Sequence, residues 1–350
     1  MRSGKRRPSP TGRDVAALAG VSPMTVSRVV SGNGNVDPAL RAKVLDAVEK
    51  LGYEPNYNAS AMRNPNGAGG AVGLCVETVQ NPFSAGIARG LEVALRPHGL
   101  MLFTGSSDGE PATERELLLE FYRRRVSALV VITVMADHSF LVPRVHPTTP
   151  IVYVDRPAIL PGCDTVTSDH AAGAFVATEH MIENGHRRIA FIGTNITGHP
   201  ISERLAGYRS ALMSAGITND EAPLLAFEHD RGVPDVRQGT RELLQSPGRP
   251  TAIFAASNSD LMGVRQALHD LELEAQIAHV AFDDLDLADV MSPPLSAFSQ
   301  DPIELGRRCG ECVIERLNAT EPLEARTIIV PGQLIARGSG EISALADRPD

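Results

Sequence analysis

The chain has 350 residues, 43% of them hydrophobic, which is enough for a small domain and one or two larger ones. Because it contains no run of about 20 apolar residues, no membrane-spanning helix is predicted. The basic start, MRSGKRRPSP, is not followed by an apolar segment, so we expect no secretory signal and a cytoplasmic protein. Four cysteines in a chain of this length do not indicate a disulfide scaffold.

The charge is distributed unevenly along the chain. The formal net charge is −9, yet residues 1–65 carry ten Lys or Arg against five Asp or Glu. The remaining residues carry 23 basic and 37 acidic side chains. A small basic region joined to a large acidic body indicates that the basic region binds a polyanion.

Residues 11–31, TGRDVAALAGVSPMTVSRVVS, predict two short helices joined by a tight turn. Thr11 and Asp14 have the spacing of a capping box, and Gly20 suits the turn because it has no Cβ. Ser22 is expected to cap the second helix, with Pro23 in its first position. The apolar side of the first helix is expected at Val15, Leu18 and Ala19, with Val26 buried in the second. This arrangement predicts a helix-turn-helix.

The exposed face of the second helix has the chemistry of a DNA-reading surface rather than that of an ordinary helical hairpin. Hydroxyls reach phosphates and an arginine reaches guanine. The residues expected on this face are Ser22, Pro23, Met24, Thr25, Ser27, Arg28 and Ser31.

A third helix is predicted from Pro38, capped by Asp37, to Leu51. Its buried face is expected at Leu40, Val44, Ala47, Val48 and Leu51. The following segment, YEPNYNASAMRNPN, predicts a short helix that is too short to be stable alone in water. We therefore expect it to fold only with a partner.

From Gly70 onward, short apolar strands alternate with amphipathic helices. Strands are predicted at 71–77, 100–107, 127–134, 151–155, 188–193, 251–257 and 279–284. Helices are predicted at 84–97, 112–125, 171–184, 201–215, 236–245 and 302–317. The fold class is therefore an all-α helix-turn-helix head plus an α/β body of two doubly wound parallel-sheet subdomains. Ligands bind such sheets at the carboxyl ends of the strands.

Other constellations do not predict catalysis or metal binding. Cys309 and Cys312 form a CxxC within a predicted helix, with no second CxxC to complete a zinc site. The ten histidines have no metal-ligand spacing, and no phosphate loop, nucleophile elbow or dinucleotide motif occurs at a strand–helix turn. We predict no enzyme, no cofactor and no metal.

The motifs DVAALAGVSPMTVSRVVSG and LGYEPN resemble the LacI/GalR family, the lactose-repressor and galactose-repressor group of bacterial transcription regulators. The body is similar to that family at NPF, GHRRIAFIG, ERLAGYRSAL, AFDD and PPLSAFSQD, so the resemblance runs from Thr11 to Gly338. The chain departs from the usual pattern at Gly12, where the family has Ile or Leu, and at Ala281, where it has Gly. The first change is expected to loosen the first helix.

The resemblance implies DNA-binding residues in two places. Pro23, Met24 and Arg28 would enter the major groove, and Arg28 would carry most of the hydrogen-bonded base readout. The residues expected to position phosphates are Ser22, Thr25, Ser27, Ser31 and Asn56. Residues 56–63 match the family's hinge helix, in which Ala59 and Met62 are assigned to the minor groove and Met62 replaces the usual leucine wedge. Two hinge helices imply a homodimer on a near-palindromic operator.

The body resembles periplasmic sugar-binding proteins, which implies a small-molecule effector, with a sugar preferred and a purine or another metabolite as the alternative. The implied effector-binding residues are Asn81, Phe83, Asp155, Arg204, Asn258 and Asp283, with Ser257 as the alternative to Asn258. The expected domains are a basic tail (1–10), a helix-turn-helix domain (11–55), a hinge (56–69), an effector-binding and dimerisation body (70–338) and a disordered tail (339–350).

The expected function is an effector-controlled transcriptional repressor that binds double-stranded DNA as a dimer. An activator, or a repressor that needs a corepressor, is the alternative within the same class. A small-molecule binding protein without a DNA role is a more distant alternative, and it would lack the helix-turn-helix.

Overall fold

The computed structural model describes residues 10–31, 36–53, 70–142, 149–218, 223–226 and 232–344. It divides into two units: the first comprises residues 1–70 together with His98–Leu100, and the second, called the body, comprises the rest of the chain from Ala71. The first unit is called the head below.

The head contains the three predicted helices, α1 (Gly12–Ala19), α2 (Pro23–Ser31) and α3 (Pro38–Leu51). The capping box at the start of α1 is confirmed, because the Thr11 amide donates to Asp14 Oδ2 at 2.7 Å and the Asp14 amide to Thr11 Oγ1 at 3.4 Å. Gly20 has φ 67°, the left-handed conformation that ends α1 and that glycine adopts without strain.

The helices of the head pack on a small aliphatic core. Its buried members are Val15, Ala16, Val26, Val29, Val44 and Ala47. The predicted core positions Leu18 and Leu40 are wrong, because these side chains are 53% and 39% exposed. Leu18 lies about 200° around α1 from the buried Ala16, so it faces away from the other helices. Leu40 lies in the first turn of α3, one turn before the packed region begins at Val44.

The body contains two sheets that are each built mainly from parallel strands. The strands are β1 (Ala71–Val76), β2 (Met101–Ser106), β3 (Ala128–Val131), β4 (Ile151–Val154), β5 (Asp164–Ser168), β6 (Ile189–Gly193), β7 (Leu224–Ala226), β8 (Ala252–Ala255), β9 (Ala278–Phe282), β10 (Ser296–Ser299), β11 (Thr327–Val330) and β12 (Gln333–Ile335). The helices are α4 (Pro82–Leu95), α5 (Pro111–Arg123), α6 (His170–Glu183), α7 (His199–Ser214), α8 (Val233–Gln245), α9 (Asn258–Asp270) and α10 (Pro302–Asn318).

Within the described residues, the strand order is β11-β5-β4-β3-β1-β2 in the first sheet and β12-β10-β9-β8-β6-β7 in the second. Neighbouring strands are parallel except for β10 and β12. The chain crosses between the sheets after β5, after β10 and after β11, so both sheets contain strands from distant parts of the sequence. The predicted fold class of two doubly wound subdomains is confirmed.

The strands that sequence analysis did not predict are the polar or short ones, β5, β7, β10, β11 and β12. The β5 sequence DTVTS has no apolar run, yet most of it is buried because β4 and β11 pair with it on either side. Pairing between distant segments decides such strands, and local hydrophobic periodicity does not reveal it.

The body extends past Gly338, which corrects the expected start of the disordered tail at 339. The Ser339 side chain is buried and donates to the His279 carbonyl at 2.6 Å. Glu341 bonds His180, and the Ile342 carbonyl lies 2.7 Å from His186 Nε2. Residues 339–344 therefore fold onto the second sheet, and residues 345–350 lie outside the described part of the chain.

Helices α4 and α10 cross at backbone contact distance, and glycines make this crossing possible. A Cβ on Gly90 would lie 1.9 Å from the Ile303 carbonyl oxygen, and one on Gly306 would lie 2.1 Å from the Ile87 carbonyl oxygen. Because α4 begins at the carboxyl end of β1, this crossing also holds the start of α4 in place.

No helix in the described ranges is both long and apolar enough to cross a membrane.

The crossing predicts that Gly90→Ala destabilises the body. The clash with Ile303 should lower the free energy of unfolding by about 2 kcal/mol or more, even though alanine favours a helix over glycine by about 1 kcal/mol. The half-exposed Val93 lies on the same helix, and Val93→Ala should change it by less than about 0.5 kcal/mol. Urea unfolding followed by circular dichroism measures both, and an unchanged midpoint for Gly90→Ala would contradict the close crossing.

Candidate functional site

The exposed face of α2, with the residue before it, contains five of the ten predicted DNA-contacting residues. Val26 and Val29 are buried against the other head helices, and this orients the opposite face of α2 outward. Ser22, which precedes α2, and Pro23, Met24, Ser27 and Arg28 are all exposed. Met24 is 65% exposed, the largest exposed fraction among the exposed large apolar residues described in the head.

Two of the predicted phosphate-positioning hydroxyls already bond each other. Ser22 Oγ accepts from the Thr25 amide at 3.1 Å, which caps α2 as predicted, and lies 2.9 Å from Thr25 Oγ1. These two side chains therefore also stabilise the start of the helix. Ser31 ends α2, and nothing is described of its side chain. The predicted contacts Asn56, Ala59 and Met62, and with them the hinge helix, lie outside the described residues.

In the body, Arg204 is the centre of a buried polar cluster, defined as Asp155, His170, Arg204, Asp283 and Gln300. Arg204 lies in α7 and is 4% exposed. Its Nη1 donates to the Ala256 carbonyl at 2.7 Å and lies 3.8 Å from Asp283 Oδ2. Its guanidinium carbon lies 3.7 Å from the centre of the Phe282 ring, a cation–π contact that fixes the plane of the group.

His170 connects Arg204 to the first sheet. Arg204 Nη2 lies 3.4 Å from His170 Nδ1, and His170 Nε2 lies 3.3 Å from both the carbonyl oxygen and Oδ1 of Asp155. Because a guanidinium only donates, Nδ1 accepts, and Nε2 must carry the proton that it donates to Asp155. His170 is not among the predicted site residues, although its place at the first position of a helix after a strand end is a usable signal.

Gln300 is the last member of the cluster and contacts Asp283. It follows β10 and donates from Nε2 to Asp283 Oδ1 at 2.6 Å. Sequence analysis missed this residue because it did not predict β10 as a strand, and a polar residue is notable only once it is known to end a strand.

The two aspartates of the cluster have unusual backbone conformations. Asp155 follows β4 with φ 67°, and Asp283 follows β9 with φ 78°. Non-glycine residues rarely adopt such angles, and they do so mostly at functional sites, where neighbouring structure holds them in place.

Asn81 and Asn258 connect the carboxyl ends of the two sheets directly. Asn258 Nδ2 donates to Asn81 Oδ1 at 2.8 Å, and the same oxygen caps α4 by accepting from the Phe83 amide at 3.0 Å. Phe83 is half-buried in the first turn of α4. Ser257, the alternative to Asn258, instead caps α9, accepting from the Asp260 amide at 3.1 Å.

Burial and neighbouring charges act on the pKa values of Asp155 and Arg204. Burial by itself would raise the pKa of Asp155, but the N–H of His170 and the charges of Arg204 and Arg156 outweigh it and lower the pKa to about 2. Burial lowers the pKa of Arg204, and the negative charges of Asp283 and Asp155 oppose this decrease. Burial also lowers the pKa of the nearby His199. The cluster therefore presents fixed charges together with a neutral His199 ring at neutral pH.

The CxxC cysteines lie within α10, as predicted, and both are buried free thiols. Burial raises the pKa of Cys312 to about 11, and it also raises the pKa of Cys309. In the part of the chain that the structure describes, no three His, Cys, Asp or Glu side chains are grouped so as to hold a metal ion.

The contacts of Asn81 predict that Asn81→Ala destabilises the body more than Asn81→Asp does. Alanine removes the helix cap, worth about 1 kcal/mol, and the acceptor for Asn258, whereas aspartate keeps an oxygen for both. Asn258→Ala should lose only the hydrogen bond to Asn81, so its loss of stability should lie between those of Asn81→Asp and Asn81→Ala. Thermal unfolding ranks the three variants, and equal losses for Ala and Asp would contradict the double role of this oxygen.

Comparison with known proteins agrees with the geometry of both units. The sequence model described as "Bacterial regulatory proteins, lacI family" matches residues 11–56, and that of a "Periplasmic binding protein-like domain" matches residues 178–340. The chain is 31% identical to the ribose operon repressor of Escherichia coli K12 over 334 residues, covering 94% of this chain and 99% of that protein. It is 33% identical to the HTH-type transcriptional regulator CelR of Thermobifida fusca over 353 residues, covering 96% and 100%.

Among solved structures, the transcriptional regulator CelR–cellobiose complex aligns with a TM-score of 0.66 at 29% identity, covering 94% of this chain and 99% of that one. The similarity to curated regulators thus spans the head and the body together. The chain belongs to the lacI family of bacterial regulatory proteins.

Proposed function

We propose that this protein is a transcriptional repressor that binds operator DNA through its head and is controlled by a sugar bound at the polar cluster of the body. The observation that carries the proposal is the buried network around Arg204, which joins the carboxyl ends of both sheets in a chain that also has a helix-turn-helix. A ligand bound there would contact both halves of the body at once.

For the head, the proposal assigns base readout to α2. Arg28 is exposed on α2 and can form a bidentate pair with guanine, while Pro23 and Met24 can contact only apolar base edges such as a thymine methyl. Ser27 is exposed on the same face and suits a phosphate. The net positive charge of residues 1–65 supports binding to the DNA backbone.

For the body, the donor and acceptor pattern favours a sugar over a purine. Asp155, Asp283 and Gln300 offer acceptors, and Arg204 offers donors, which suits hydroxyl groups that both donate and accept. Arg204 covers the Phe282 ring, so a purine could not stack on that face of the ring. The relatives support the sugar, since one is a ribose operon repressor and one structure is a complex with cellobiose.

We further propose that the protein acts as a homodimer. Met101 and Phe103 are 64% and 41% exposed on β2, the edge strand of the first sheet, and Leu224 is exposed on β7, the edge strand of the second. Exposed apolar side chains on sheet edges are a liability unless another surface covers them. A dimer places two α2 helices on the two half-sites of a near-palindromic operator.

The mechanism follows from the position of the cluster. A sugar that binds one arrangement of the two halves more tightly than another shifts the population towards it. In a dimer, that shift changes the separation of the two heads and so their affinity for DNA, and the coupling is reciprocal. An activator would use the same coupling with the opposite effect on transcription.

We assign no catalytic role to the cluster, and because the target is chromosomal DNA we place the protein in the cytoplasm.

The head assignment predicts that Arg28→Ala reduces operator preference. Loss of the guanine contact should cost about 1–3 kcal/mol of discrimination, which lowers the ratio of operator to scrambled-DNA affinity by about 5- to 150-fold. The exposed Arg13 of α1 carries the same charge, and Arg13→Ala should leave this ratio unchanged. Fluorescence anisotropy at one salt concentration measures both ratios, and an unchanged ratio for Arg28→Ala would rule out the assignment.

The body assignment predicts that Arg204→Lys removes the effector response but leaves DNA binding intact. Lysine keeps the charge but not the planar fork, so effector binding should weaken by about 10-fold or more. Arg237→Lys breaks a bidentate pair with Asp270 on α8, remote from the cluster, and serves as the control. The readout is sugar-induced release from operator DNA. A normal response in Arg204→Lys would refute the assignment.

A further inference from the structure

Several polar atoms beside the cluster are buried without a hydrogen-bond partner among the described residues. They belong to side chains at the carboxyl ends of the strands or at the helix starts that follow: Arg156 Nε, Ser168 Oγ, His199 Nδ1, Arg204 Nε and Gln300 Oε1. Leaving such an atom unsatisfied costs about 1–3 kcal/mol. Native proteins satisfy such atoms with a ligand or with ordered water, so several of them in one place give a ligand a set of polar atoms to bond.

These atoms require a ligand that both donates and accepts. The arginine atoms only donate. Gln300 must direct its amide nitrogen at the Asp283 carboxylate, which only accepts, so the atom left over is an oxygen that needs a donor. Ser168 and His199 can take either role. A sugar hydroxyl meets both demands, whereas an ionised phosphate oxygen placed at the same position only accepts and could not donate to Gln300 Oε1.

The charges lead to the same conclusion. Arg204 faces the carboxylates of Asp283, Asp155 and Asp260, and Arg156 Nη2 lies 3.4 Å from Glu77 Oε2. Carboxylates therefore outnumber guanidinium groups around these atoms. The lowered pKa of His199 leaves its ring neutral, so it adds no positive charge at neutral pH. A phosphate dianion would meet a surplus of negative charge in a buried environment, where charge interactions are stronger than in water.

We propose that the cluster selects an uncharged sugar and excludes the phosphate ester of that sugar. This inference rests on the proposed sugar-binding function and narrows its ligand class. The first ground is that the unpartnered donors and acceptors match hydroxyl groups, which can both donate and accept. The second is the excess of carboxylates around Arg156 and Arg204, which already have acidic neighbours.

Isothermal titration of the full chain with paired ligands tests the proposal. The pairs are D-ribose with D-ribose 5-phosphate, and D-glucose with D-glucose 6-phosphate, with cellobiose as a further neutral sugar. We expect a neutral sugar to bind and any phosphate ester of it to bind at least about 10-fold more weakly, which corresponds to 1.4 kcal/mol. The 6-O-methyl ether of glucose adds neutral bulk at the same oxygen, and it should bind more tightly than the phosphate ester.

A charge-removing variant separates electrostatic exclusion from shape. Glu77→Gln removes the carboxylate that faces Arg156, and it should raise the affinity for the phosphate ester relative to the neutral sugar by about threefold or more. Glu92→Gln removes the same charge from an exposed pair with Arg89 and Arg96 on α4, and it should leave that ratio unchanged.

The outcomes separate this inference from the function on which it rests. A phosphate ester that binds as tightly as the neutral sugar overturns the inference and leaves the sugar-controlled regulator standing. The inference is also overturned if the methyl ether and the phosphate ester lose the same affinity and Glu77→Gln does not change the ratio of affinities. Shape alone would then exclude the ester. Binding of hypoxanthine or adenine with no sugar, or of no tested ligand, rejects the sugar-binding function and this inference with it.

Discussion

The body depends on one constraint, the burial of the Arg204 guanidinium. This group cannot lose its proton in a protein, so burying it requires acceptors on several sides. They come from separate parts of the chain, namely the Ala256 carbonyl after β8, Asp283 after β9 and His170 at the start of α6. Each of these acceptors lies just after a strand or at the start of a helix. The loops at the carboxyl ends of the strands must therefore converge on Arg204 in α7, and this convergence produces the geometry of the candidate site.

Elements far from the cluster hold these loops in place. The left-handed conformations of Asp155 and Asp283 are costly by themselves, and they persist because parallel strands on either side fix the backbone. The start of α4, which holds Asn81, is held by the glycine crossing with α10, where the backbones are too close for any Cβ. The site is therefore rigid within each half, and the Asn81–Asn258 bond and the contact of His170 with Asp155 connect the halves.

This division supports the proposed coupling between the cluster and DNA binding. Few polar contacts join the two sheet ends, whereas each sheet has a large apolar core of its own. A sugar that satisfies the unpartnered atoms adds bonds across that boundary and changes the preferred arrangement of the halves. The small head, with its own aliphatic core and capped helices, responds as a unit. In the proposed mechanism, the DNA-reading surface of α2 stays the same, and the effector changes only how the two heads of a dimer are presented.

The sequence by itself determined the helices of the head, the alternation of strands and helices in the body, and the family, because caps, turns and hydrophobic periodicity are local signals. The resemblance to the family also predicted Arg204, Asp155 and Asp283. Asp155 and Asp283 directly follow apolar strands, whereas Arg204 lies within α7. Only the tertiary structure decided the roles of His170 and Gln300, the strand nature of segments such as β5 and β10, the exposure of Leu18 and the packing of residues 339–344. Each of these depends on which distant segment lies alongside, and pairing and burial across long sequence separations leave no periodic trace in the residues themselves.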